Sequence, residues 1–141
     1  MLIYPVQLEP DDNETVLVNF PDVPEAITFG EDEAEALERS VGALVAMFSA
    51  YMDDRQRIPM PSSLKGRPGV VLPAVVSAKV LLWNAMLDAG MRKADLARRL
   101  NLSPTVIDRL LSLAHASRIE QLETALAALG KKLVVGIREA A

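Results

Sequence analysis

The residues with most to offer a partner lie in one stretch, ADLARRLNLSPTVIDRLL, residues 94–111. Small Ala97 suits a close crossing of two helices, and Asn101 with Leu102 makes a tight turn that tolerates the left-handed conformation. Ser103 is a good N-cap for the next helix, and Pro104 fits its first position, where a missing N–H is no loss. With Ile107 and Leu110 facing inward, Thr105, Val106 and Arg109 face outward. This is helix-turn-helix spacing, in which the second helix enters the major groove by its N-terminal end. Arg109 suits a bidentate pair with guanine, Thr105 a hydroxyl or methyl contact, and Val106 a thymine methyl. Arg92, Lys93, Arg98, Arg99 and Ser103, with Ser117 and Arg118 in the turn HASR, suit phosphates, which position the protein without specifying sequence. The plain alternative is a four-helix bundle with a solvated basic face. Charge gathered at the turn itself speaks against it.

Other chemistries are poorly served. The chain has no cysteine and one histidine, His115, which excludes disulfides and thiolate zinc sites and leaves no imidazole pair for a metal or a nucleophile relay. A capping or phosphate contact at the end of the third helix suits His115 better. The pairs Asp11/Asp12 and Asp53/Asp54 suggest a two-metal nuclease only superficially, because adjacent side chains in a turn or helix end splay apart. Trp83 falls in a helical stripe with Val80 and Leu87 and belongs to a core rather than to a stacking platform. No cofactor and no catalytic or metal-binding residue is expected.

The elements that must position the basic turn follow from periodicity. Leu2, Tyr4, Val6 and Leu8 alternate, EPDDNE turns the chain, and Val16, Val18 and Phe20 resume the alternation, which predicts a hairpin. Ala26 to Gly30 predicts a third strand, with Gly30 making a sharp exit. Asp32 caps a helix with Glu35 three residues on, and Ala34, Leu37, Val41, Leu44, Phe48 and Tyr51 paint its inward stripe. Val45, Met47 and Ala50 add apolar surface on other sides of that helix, which calls for a further cover such as another protomer. The proline-rich run from Arg55 to Pro73 reads as irregular chain, with Val70 to Leu72 a fourth strand. Beyond it come four helices: one through Val76, Val80, Leu82, Trp83 and Leu87 ending at Gly90, one through Leu96, Ala97 and Leu100, one after Pro104, and one over Ile119–Leu129 closed by Gly130. KKLVVGI ends the chain as a short β-prone strand.

At 141 residues the chain has room for two small domains, here 1–73 and 74–141. The net charge of -4 divides unevenly. Residues 1–73 carry 5 Lys+Arg against 13 Asp+Glu, whereas residues 74–141 carry 10 against 6. Such polarity implies partners of opposite sign, a polyanion for the second half and something cationic for the first. Half the residues are hydrophobic, a globular composition. No run is long and apolar enough for a membrane span and no signal-peptide pattern opens the chain, so a soluble cytoplasmic protein is expected.

The stretch NFPDVPEAITFGEDEAEALERSVGALVAMFSAYMDD followed by IPMPSSL resembles the HicB-type antitoxins of type II toxin–antitoxin systems. Phe20, Asp22, Pro24, Gly30, Ala34 and Ala36, then Pro59, Pro61 and Ser62, carry the resemblance, and the C-terminal helix-turn-helix matches the branch of the family with such a domain. The resemblance covers nearly the whole chain. It implies an α+β protein, with an N-terminal partial RNase-H-like βββαβ domain followed by an all-α helix-turn-helix domain with a short C-terminal strand. It implies a partner too: a small basic HicA-type mRNA interferase toxin, blocked by occlusion, and repression of the operon that encodes both. Two departures stand out. Arg92 replaces the Ser or Thr that commonly caps the second helix, leaving Asp95 to serve the exposed amides, and Asn101 stands where Gly is frequent. The first strand, LIYPVQL, lacks the carboxylate that an RNase-H-type nuclease needs for divalent metal, so the domain reads as a binder and not an enzyme. Asp11, Asp22 and Glu25 are the expected toxin contacts, and two recognition helices about 34 Å apart imply a homodimer or higher homo-oligomer on operator DNA. The rival readings are a stand-alone helix-turn-helix regulator with an N-terminal ligand sensor and an RNA-processing enzyme.

Overall fold

The computed structural model describes residues 2–139. It divides into two compact units, Leu2–Leu72 and the chain from Pro73 onward. The first is mixed α+β. Strands β1 (Ile3–Pro5), β2 (Gln7–Pro10), β3 (Val16–Asn19) and β4 (Ile27–Gly30) precede helix α1 (Glu33–Asp53), and β5 (Gly69–Val71) returns after the proline-rich run. The sequence suggested one unbroken first strand. Instead the pairing of β1 with β5 ends where the Val6 amide donates to the Pro68 carbonyl at 2.9 Å, since Pro68 has no N–H to return, and β2 begins a separate antiparallel order β2-β3-β4. The alternation survives the break, since Leu2, Tyr4 and Val6 are all buried.

Helix α1 starts where Asp32 accepts a hydrogen bond from the Glu35 amide at 2.8 Å. The reciprocal half of the box is displaced by one residue, because the Glu35 carboxylate receives the Glu31 amide at 3.4 Å. The inward seam differs from the expected one. Ala36, Ser40, Leu44 and Phe48, each four residues from the last, are buried, whereas Ala34 is exposed and Leu37, Val41 and Tyr51 lie at its flanks. Small residues win the inner positions because the helix start presses on the end of β4: a Cβ on Gly30 would lie 2.3 Å from the Ala36 amide nitrogen. Close approach, more than a sharp exit, is what Gly30 supplies. Ser40 is tolerated in the seam because its hydroxyl donates to the Ala36 carbonyl at 2.8 Å.

The second unit is helical: α2 (Ala74–Asp88), α3 (Lys93–Leu100), α4 (Pro104–Leu111) and α5 (Ile119–Ala128). Its core joins Val80, Leu82, Trp83 and Met86 of α2 to Leu96, Ile107, Leu110, Leu122 and Leu126. Trp83 is thus a core residue. The strand expected at KKLVVGI is not formed, since residues 131–139 run without regular pairing and the unit offers no other strand as a partner. No single helix among the described residues is long and apolar enough to cross a membrane.

Candidate nucleic-acid interface

The turn between α3 and α4 is built by three residues with separate tasks. Asn101 takes the left-handed conformation, φ 54° and ψ 48°, which reverses the chain, and the Leu102 amide closes the end of α3 on the Ala97 carbonyl at 3.0 Å. Ser103 then caps α4, its hydroxyl oxygen accepting from the Val106 amide at 3.3 Å, and Pro104 occupies the first turn. At the start of α3 the Asp95 carboxylate accepts the Arg92 amide at 2.9 Å, so it does the work that a Ser or Thr cap would share. Ala97, Leu96, Ile107, Leu110 and Leu111 are buried and fix the two helices against the core. Thr105 and Arg109 are left exposed and Val106 half-buried on the outward face of α4.

The expected phosphate ligands separate into two groups. Arg92, at the start of α3, and Arg118, at the start of α5, are exposed with no ion pair or side-chain hydrogen bond among the described residues, and so is the Arg109 guanidinium. Arg118 shares a shallow cleft with Leu100 and Leu102, which brings it beside the turn. Lys93, Arg98 and Arg99 already have partners. Lys93 pairs with Asp108 of α4 at 3.2 Å, Arg98 pairs with Asp95, and Arg99 donates to the Ala128 carbonyl at the end of α5 at 2.8 Å. All are exposed, so exchange of these partners for phosphate oxygens costs little. The Ser103 oxygen serves its cap and the Ser117 hydroxyl is held from inside.

Sequence reasoning missed the residue that does the holding. Lys79 of α2 is fully buried, and its ammonium donates to the carbonyls of Arg109, Ser112 and His115 at 3.0, 2.6 and 2.7 Å and to the Ser117 hydroxyl at 2.9 Å. Ser117 in turn donates to the Arg109 carbonyl at 3.3 Å. A positive charge among carbonyls at a helix C-terminus satisfies groups the helix itself leaves open and complements the negative end of its dipole. Burial pushes the ammonium down to about 8. The arrangement ties the end of α4, with the following turn, to the core, so the outward residues stand on a helix fixed at both ends. The available signal was a lysine inside AVVSAKVLLW, spaced three and four residues from Val76, Leu82 and Trp83 on a helix apolar all round. His115 contributes its carbonyl to this network, and its Nδ1 lies 3.2 Å from the Ser117 oxygen.

The acidic candidates of the first unit are mostly engaged. Asp22 accepts both the Ser62 amide and hydroxyl, at 2.8 and 2.9 Å, and Glu25 accepts the Tyr51 hydroxyl. Burial, then the Glu25 hydrogen bond and charge, push Tyr51 up to about 12. Asp11 sits exposed in the β2–β3 turn, its carboxylate accepting the Asp12 amide at 2.9 Å. Among the described residues no three acidic or histidine side chains gather as a metal site.

A two-unit chain with a capped helix-turn-helix behind an acidic α+β unit is a DNA-binding regulator, and comparison with known proteins bears on which kind. Residues 3–81 match the family described as HicB_like antitoxin of bacterial toxin-antitoxin system, and residues 81–133 match the Cro/C1-type HTH DNA-binding domain. The chain is 45% identical over 130 residues to "Antitoxin HicB 2" of Photorhabdus laumondii, covering 92% of each protein. It is 41% identical over 131 residues to "Antitoxin HicB" of Escherichia coli K12, covering 92% of this chain and 95% of that one. The N-terminal domain of the Burkholderia pseudomallei antitoxin HicB aligns with 51% of this chain and 96% of its own at 17% identity, with a TM-score of 0.43. The chain belongs to the HicB-like antitoxin family. It is an antitoxin with a DNA-binding domain, a regulatory protein and not an enzyme.

Proposed function

We propose that this antitoxin works in the cytoplasm in two ways. Its first unit, through the domain 1–73, binds and occludes a small basic HicA-type mRNA interferase, and its second, 74–141, binds operator DNA and represses the operon encoding both. The observation that carries the second role is the outward face of α4, where Arg109 is exposed and unpaired while Ser103 caps one end of the helix and Lys79 secures the other. In this reading Thr105, Val106 and Arg109 contact bases. Arg92 and Arg118 take phosphates directly; Lys93, Arg98, Arg99, Ser103 and Ser117 take them on exchanging or sharing present partners. The first role is supported by the excess of 13 Asp+Glu over 5 Lys+Arg in residues 1–73, a field that speeds encounter with a cationic protein. Asp11 offers a free acidic tip, and Asp22 and Glu25 offer carboxylates already oriented by Ser62 and Tyr51. A homodimer presents two α4 helices to successive major grooves.

Co-expression of the tagged chain with the small basic protein encoded beside it tests the pairing. Copurification of the two and rescue of growth are expected; a chain that neither captures nor rescues contradicts the antitoxin role assigned to residues 1–73.

A further inference from the structure

The outward face of the sheet β2-β3-β4 is apolar at its centre and is left uncovered by its own unit. Cross-strand register aligns Glu9, Leu17 and Phe29 in one row and Gln7, Asn19 and Ile27 in another. Val18 lies between those rows and is fully buried, so both rows share the opposite side of the sheet. Gln7, Glu9, Ile27 and Phe29 are exposed there, and Leu17 and Asn19 are half-buried. Ile27 and Phe29, at 57 and 54%, are the most exposed large apolar side chains of the first unit; the next, Val71, reaches 38%. Adjacent aromatic and aliphatic side chains left in water on one face mark a surface made for a partner.

Charge decides what fits this face. Residues 7–31 hold seven carboxylates and no lysine or arginine, and the first basic residue of the chain is Arg39. The carboxylates stand at both ends of the sheet, Asp11, Asp12 and Glu14 in the β2–β3 turn and Asp22 and Glu25 in the β3–β4 loop, with Glu9 on the face itself. An apolar centre inside a charged rim is the anatomy of a protein interface. A second copy of the chain is a poor occupant. A two-fold contact sets each face against itself, and since both ends are acidic, carboxylates meet carboxylates in either orientation. A cationic protein is attracted where a copy is repelled.

Strand β4 is the edge of the sheet, and Arg39 of α1 shapes what it offers. The guanidinium donates to the Phe29 carbonyl at 3.3 Å, pairs with the Glu35 carboxylate at 2.9 Å, and lies 5.7 Å from the centre of the Phe29 ring. A charged side chain laid along an edge blunts it against a further strand, and the cation–π contact holds the ring in place before a partner arrives. The face, not the edge, is what the unit presents. We propose that the outward face of β2-β3-β4, centred on Phe29, Ile27 and Leu17, is the surface on which the cationic toxin docks, a basic protein that meets it with an apolar patch ringed by lysine or arginine. The assignment rests on the toxin-binding role proposed above and adds the face. Phe29 holds the complex together, and Glu9 and Asp11 speed its formation.

Association and dissociation rates between the full-length chain and the small basic protein encoded beside it test the face. F29S is expected to weaken binding by about 30-fold or more, chiefly through faster dissociation, with an unchanged circular dichroism spectrum because the ring lies outside the core. E9Q and D11N are expected to slow association by about 2- to 5-fold each in dilute salt and to have no effect in concentrated salt. Since the chain has no cysteine, maleimide labelling of single-cysteine variants reports what the partner covers. Q7C, on the outward face, is expected to label about tenfold more slowly in the complex, whereas E38C, exposed on α1, is expected to label equally with and without the partner. Wild-type affinity in F29S, or protection of E38C in place of Q7C, would overturn the face and leave toxin binding standing. Labelling of Q7C that slows as the free chain is concentrated would place a second copy there and overturn it too. A wild-type chain that binds no basic partner removes the toxin-binding role, and the face with it.

Discussion

The two units spend their charge in opposite ways. In the first, the residues that stand out in the sequence are tied to their own unit: Asp22 fastens Ser62, Glu25 holds Tyr51, and Gly30 lets α1 close on β4. In the second, the residues that stand out face water, and the work of holding them falls to a lysine that does not stand out at all. Under the proposed function the contrast follows from what each unit must present. A surface that occludes a protein can be broad, with its field supplied by many carboxylates and its shape fixed by a few. Reading a base edge needs one side chain on a helix whose position is settled to within a fraction of an ångström, so buried polar groups are spent on the scaffold.

The largest effect expected from breaking this division is local to the first unit. Gly30→Val places a side chain against the Ala36 backbone, which cannot give way as a flexible side chain would, and is expected to cost about 3 kcal/mol or more. Toxin neutralisation is expected to fall, while the unfolding transition followed by Trp83, the chain's one tryptophan and part of the second unit, stays in place. Next in size, Lys79→Met removes the donor from three carbonyls and is expected to cost about 2–3 kcal/mol. Here the Trp83 transition moves and operator affinity drops with Arg109 still present. If Lys79→Met changed neither, α4 would not depend on its tether.

The smallest effect is in alkaline solution, where the units are expected to diverge. Lys79 has its folded value lowered to about 8 from 10.5, so between those values the unfolded chain binds the extra proton and the stability of the second unit rises with pH. Tyr51 is raised to about 12 from 10.0 and Tyr4 is raised as well, chiefly by burial. Between pH 10 and 12 the folded first unit binds the extra protons, and its stability falls as pH rises. Denaturant titrations at pH 8 and 10 by Trp83 emission, and at pH 10 and 11.5 by tyrosine absorbance, are expected to give midpoints moving in opposite directions.

How much of this was legible depended on how far apart the interacting groups lie in the chain. Asn101, Ser103 and Pro104 announced the turn because a cap and a left-handed residue act on neighbours within three positions. The strands were visible in the alternation, but the break at Val6 was not, since its partner Pro68 is set by the return of the chain. On α1, abundant small and apolar residues left two stripes possible, and the closeness of Gly30 to Ala36 chose the one that sequence alone did not favour. Lys79 was hidden because its acceptors lie 30 to 38 residues downstream. The strand at the C-terminus was read from residue type, yet a strand exists only with a neighbour, and the single chain supplies none.

One titration tests the separation of roles between the two units most directly. Arg109→Ala is compared with the wild type for binding to the chain's own operator at fixed salt and, in parallel, for neutralisation of the toxin. The expected result is an operator affinity lower by about 5- to 150-fold, equivalent to ~1–3 kcal/mol, with neutralisation unchanged. Unchanged operator affinity, or a loss of neutralisation together with the loss of operator binding, would contradict that separation.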